Sequence, residues 1–91
     1  MLLDEIKDYL RLTGDDENAI VESVILRGKA KLEGLTGTTL DFEAEGLPKS
    51  LLFDYVRYAY NNASEYFEDN FQREILRLQL QSAVTENEEQ I

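Results

Sequence analysis

Charged residues are the first candidates for chemistry in this chain. Asp15, Asp16 and Glu17 stand together ahead of Asn18, a grouping that could hold a cation. A calcium loop of the EF-hand type needs alternate oxygen ligands, a central glycine and a distant glutamate, and that spacing does not follow. The same acids suit an N-cap and the negative first turn of a helix, which is the reading adopted. Asp41, Glu43 and Glu45 fall at steps of two, as a carboxylate site or as the wet side of an extended loop; the loop reading is preferred. Arg27, Lys29 and Lys31 form the densest basic cluster, either a patch for an acidic partner or a solvated face near a helix C-terminus. The chain has no cysteine and no histidine, so Ser–His and Cys–His arrangements are excluded and the commonest metal ligand is missing. Five tyrosines suit core and interface positions better than catalysis. No enzyme activity and no cofactor is expected.

The elements that must carry these residues are helical. The stretch 47–71, LPKSLLFDYVRYAYNNASEYFEDNF, places Leu52, Val56, Ala59, Ala63 and Phe67 at helical spacing, with Pro48 suited to a first turn. It is expected to be one core helix of about five to six turns. Ahead of it, residues 3–12 read as a short helix closed by Thr13-Gly14, with Leu3, Ile6, Tyr9 and Leu10 on one side. Residues 17–33 read as a second helix with Ile20, Val21, Val24, Ile25, Gly28 and Leu32 on one face. Gly28 costs this helix about 1 kcal/mol relative to alanine, which suggests close approach to the core helix near Ala59 or Ala63. Residues 34–46 are a long loop, about thirteen residues, that Leu35, Leu40 and Phe42 could pin down. Phe71, Ile75 and Leu78 continue as a further helix, although Leu76, Leu78 and Leu80 also alternate with polar residues as a strand or arm would. The fold class expected is all-α, a small bundle of three to four helices with one long loop between helices 2 and 3. One domain is expected over 1–84, followed by an acidic, disordered tail over 85–91.

Nine basic against nineteen acidic residues give a net charge of −10 over 91 residues. Such a surface repels phosphate backbones and anionic membranes, so neither nucleic acid nor membrane is an expected partner. Apolar runs reach only three residues, far short of a membrane span, and MLLDEIK has no signal-peptide pattern. A soluble, intracellular protein is expected.

Three segments in order carry a family resemblance: LDEIKDYLRL with GDDENAI, then IVESVILRGKAKLE before a variable glycine-containing loop, then LPKSLLFDYVRYAYNNASEYFED. Lys7, Tyr9, Leu10, Asp16, Tyr58, Ala59 and Tyr60 are the positions concerned. Together they resemble the small head–tail connector proteins, also called adaptor or head-completion proteins, of tailed bacteriophages and prophages. Asn61-Asn62-Ala63-Ser64 and Gly28-Lys29-Ala30 depart from the family pattern. The resemblance implies a helical subunit, self-associated as a ring of about a dozen copies beneath the portal protein, where it extends the DNA channel and docks a tail-completion or stopper protein. It places the chain in the virion at the head–tail junction, and in the host bacterial cytoplasm during assembly. By position it assigns subunit and partner contacts to Leu35, Leu40 and Phe42 in the loop and to Phe71, Ile75, Leu76, Leu78 and Leu80 near the C-terminus. The alternative is a small acidic helical adaptor or regulator that binds a basic protein surface, as an antirepressor or nucleic-acid mimic does.

Overall fold

Helix α1 spans Leu2–Leu10 and ends where Arg11 takes a left-handed backbone (φ 62°). The Leu12 N–H donates to the Lys7 carbonyl (2.8 Å) and the Arg11 N–H to that of Asp8 (3.1 Å), the paired bonds of a Schellman cap. The terminator expected at Gly14 is therefore three residues early and falls on an arginine. Helix α2 spans Asn18–Thr36 and closes on Gly37 (φ 73°), whose N–H donates to the Glu33 carbonyl at 2.8 Å. Helix α3 spans Leu47–Tyr60, with Pro48 in its first turn as expected. The computed structural model describes residues 2–89, with side chains to residue 84, so the tail expected over 85–91 lies outside the described side chains.

The long core helix expected over 47–71 is interrupted. Asn62 sits at φ 59°, and a second Schellman pair closes α3: Asn62 N–H to the Ala59 carbonyl (3.1 Å) and Ala63 N–H to that of Tyr58 (2.8 Å). Asparagine is the residue most tolerant of this conformation after glycine, which explains the break. A 3₁₀ turn (Ser64–Tyr66) and the four-residue α4 (Phe67–Asn70) reverse the chain, and α5 spans Gln72–Glu89. Among the described residues the structure is all-helical, with five α-helices rather than three or four and no strand at residues 76–80 or in the loop.

The reversal matters because it turns Phe67 inward. Phe67 is fully buried, edge-on to Tyr55 (5.3 Å between centroids) and stacked on Phe71 (5.1 Å). Ile6, Val21, Leu32, Leu51, Leu52, Val56 and Leu78 belong to the same core and are also fully buried, and full burial of each such side chain contributes about 1.5–3 kcal/mol. Helices α2 and α3 make the most extensive pairing. Gly28 allows it: a Cβ there would lie 2.8 Å from Leu52 Cδ1 and from Tyr55 Cδ1. The close approach expected of Gly28 is present, but it falls on the second and third turns of α3 and not at Ala59 or Ala63.

Candidate functional site

The acidic turn before α2 does not cap that helix with a side chain. Asp15 instead accepts from Lys7 Nζ at 3.0 Å and from Asn18 Nδ2 at 3.3 Å. The nearby ammonium holds the Asp15 carboxyl below its usual range. An open hollow beside this turn is lined by Lys7, Arg11, Asp16, Glu17 and Asn18, but charges of both signs meet there and Lys7 is already engaged. Among the described residues no group of acids is arranged to hold a metal ion. The capping explanation of Asp15 is thus replaced by an ion pair to α1.

The loop after α2 is held down rather than free. Leu40 N–H donates to Glu33 Oε2 (2.9 Å), and Asp41 Oδ1 accepts from the N–H groups of Glu43 (3.0 Å) and Ala44 (3.3 Å). Phe42 is buried with the Lys29 ammonium 5.9 Å from its ring centroid. Lys49 at the start of α3 reaches both Glu45 (2.7 Å) and Glu5 (2.5 Å), so one cation joins loop, α1 and α3. The bonds to Glu45, then Glu5, raise the Lys49 pKa well above its ordinary value, and Glu5 is lowered in turn. The basic cluster on α2 is dispersed: Lys31 pairs with Glu68, Lys29 covers Phe42, and Arg27 is exposed.

Tyrosine tips tie helices together. Tyr9 donates to Asp54 Oδ1 (3.3 Å) and accepts from Arg57 Nε (3.1 Å), joining α1 to α3. The Tyr9 bond is the main reason the Arg57 pKa is raised. Tyr60 donates to Glu17, and Tyr58 accepts from Asn70 Nδ2 (2.9 Å). Gln79 Nε2 donates to the Leu35 carbonyl (2.8 Å) and fixes α5 to the end of α2. These positions are structural ties within one chain.

The residues expected at contacts fall into two sets. Phe42, Ile75 and Leu78 are core residues, because loop and α5 pack inward there, and Leu35, Leu40 and Phe71 are half-buried against the core. Leu76 (55% exposed) and Leu80 (59%) face solvent from α5. Val84 (56%) extends their line one turn further and was missed, although its i+4 spacing from Leu80 signals it. On α2, Leu26 (66%) and Ile20 (57%) are also exposed; Ile20 had been expected on the buried face. The buried face of α2 comprises Val21, Val24, Ile25, Gly28 and Leu32, which leaves Ile20 outside it. The site-like feature of this molecule is therefore a set of outward apolar faces. No protein-family model matches the chain, and neither a curated protein nor a solved structure does.

Proposed function

We propose that the chain is a structural subunit of a tailed-phage or prophage virion, a head–tail connector assembling as a ring beneath the portal. In this reading it extends the DNA channel, docks a tail-completion or stopper protein and performs no catalysis. The observation that supports it is the placement of exposed apolar side chains on two separate helices, Ile20 and Leu26 on α2 and Leu76, Leu80 and Val84 on α5. A head-to-tail ring uses two different patches on each subunit, one for each neighbour. Exposed apolar surface on a small domain favours such contacts. The net charge of −10 suits a channel through which DNA passes without being held.

Co-expression with the portal protein of the same genome, followed by negative-stain electron microscopy, tests this. A collar of density on the portal that vanishes without this chain supports the connector. Portals that stay undecorated in every condition, DNA-filled heads included, reject it and turn the search to a basic protein partner.

A further inference from the structure

The turn that ends α3 depends on one residue. Between Leu47 and Asn70 only Asn62 has a positive φ (59°). Its neighbours lie within reach of the right-handed helical region: Asn61 (φ −97°, ψ 17°), Ala63 (φ −123°, ψ 22°), Tyr66 (φ −94°, ψ −6°) and Phe67 (φ −62°, ψ −51°). Helical spacing runs across the turn without a break, through Leu52, Val56, Ala59, Ala63 and Phe67. Moving Asn62 to the right-handed side, with small adjustments beside it, joins α3 to α4 as one helix. Residues 61–65 are polar or small, so the straight form bares no large apolar side chain within the turn. What it bares lies beyond. Phe67, Ile75 and Leu78 are buried, and α5 packs on α2 and α3. Asn70 Nδ2 donates to Tyr58 Oη (2.9 Å), Gln79 Nε2 donates to the Leu35 carbonyl (2.8 Å) and Lys31 pairs with Glu68. Each of these ties joins the tail, residues 64–84, to the head, residues 2–60.

We propose that Asn62 is the hinge of a domain exchange, in which the tail leaves its own head along a straightened helix and docks on the head of a second copy, whose tail docks in return. A tail released alone would hold Phe67, Ile75 and Leu78 in water, and the head that fits it is another copy of its own. Every tie between head and tail re-forms across the two chains, so the exchange loses no apolar burial. Concentration and the two hinges then set the balance between monomer and dimer. Asparagine keeps the hinge shut in dilute solution, because it tolerates the left-handed backbone and is a poor helix former. Reciprocal exchange closes at two copies. The inference stands without the connector reading.

Two substitutions at this exposed position push the hinge in opposite directions without touching the core. Asn62→Ala disfavours the left-handed turn and favours helix; Asn62→Gly does the reverse. The full chains are refolded from urea at about 1 mM and separated by size-exclusion chromatography with light scattering. A dimer once formed survives the column, because parting it requires both tails to undock. The parent should give monomer with a minor dimer peak. Asn62→Ala should raise the dimerisation constant by about tenfold per hinge, hence about a hundredfold, and Asn62→Gly should leave monomer alone. Exchange is told from side-by-side contact with nitroxides on Leu26→Cys in α2 and Leu80→Cys in α5, both exposed, since the chain has no cysteine of its own. The distance between the two labels within one monomer should reappear between two singly labelled chains refolded together as a dimer. Equal dimer shares in the parent and both variants, none included, overturn the inference. So does growth past the dimer, or a dimer in which that distance between chains is missing.

Discussion

Replacing Gly28 by alanine should weaken the protein, whereas the same replacement at Gly34, in the same helix, should strengthen it. A Cβ on Gly28 would meet Leu52 Cδ1 and Tyr55 Cδ1 at 2.8 Å and Tyr55 Cε1 at 3.4 Å. The Leu52 methyl can yield, but the Tyr55 ring is held edge-on to Phe67, so the added carbon pushes on the centre of the core. Overpacking of this kind costs about 1–3 kcal/mol. Helix propensity returns about 1 kcal/mol. The net change for Gly28→Ala is a loss of up to about 2 kcal/mol. Gly34 has nothing within 4 Å of its Cβ direction and lies in the last turn of α2, so it gains up to about 1 kcal/mol. Because propensity enters both variants alike, the gap between them, about 1–3 kcal/mol, isolates the α2–α3 approach. Urea unfolding followed by circular dichroism at unchanged slope measures it. In thermal unfolding each 1 kcal/mol moves the midpoint by about 4–8 °C. If Gly28→Ala proved as stabilising as Gly34→Ala, the explanation of a glycine in the middle of α2 would be wrong.

Phe67→Ala removes a fully buried ring that joins Tyr55, Tyr58 and Phe71, and should cost about 3–5 kcal/mol, visible as loss of cooperative unfolding. Arg11→Gly places glycine where the backbone is already left-handed (φ 62°) and should stabilise by up to about 1 kcal/mol; a midpoint that falls instead would show that Arg11 is held by its side chain. Lys49→Met should flatten the pH profile of stability at both ends. Glu5, lowered from 4.5, contributes stability above that pH that is lost as pH falls through its folded value. Lys49, raised from 10.5, contributes stability below that pH that is lost as pH rises above it. Unfolding midpoints from pH 2 to 11 would read the acid limb and the onset of the alkaline one, and a profile unchanged by the substitution would remove Lys49 as the tie between loop, α1 and α3.

Much of the fold is legible in the residues. Pro48 marks the start of α3, and the spacing of Val21, Val24, Ile25, Gly28 and Leu32 gives the buried side of α2 without reference to any other element. The break after Tyr60 is harder to read. The apolar period carries on through Ala63 to Phe67, and helical spacing counts residues without sensing that Asn62 has turned left-handed. Arg11 is harder still, since arginine gives no local sign of such a backbone; the two capping hydrogen bonds and burial of α1 impose it. The outer stripe of α5 was half visible. Alternation at 76, 78 and 80 permits a strand, and only the helix separates Leu78, inside, from Leu76 and Leu80, outside.

Composition by itself excluded cysteine and histidine chemistry and made the chain acidic, and periodicity by itself made it helical. Those are sums and local patterns, independent of which element meets which. Which ion pairs form is a different matter. Asp15 pairs with Lys7 instead of capping α2, Lys49 gathers Glu45 and Glu5, and Lys31 leaves its basic neighbours for Glu68. The partner of Gly28, and the identity of the apolar residues left facing water, were likewise set by how the helices pack. Each of these depends on how helices are registered in space, and that register is fixed by packing among residues far apart in the chain, which no local pattern records.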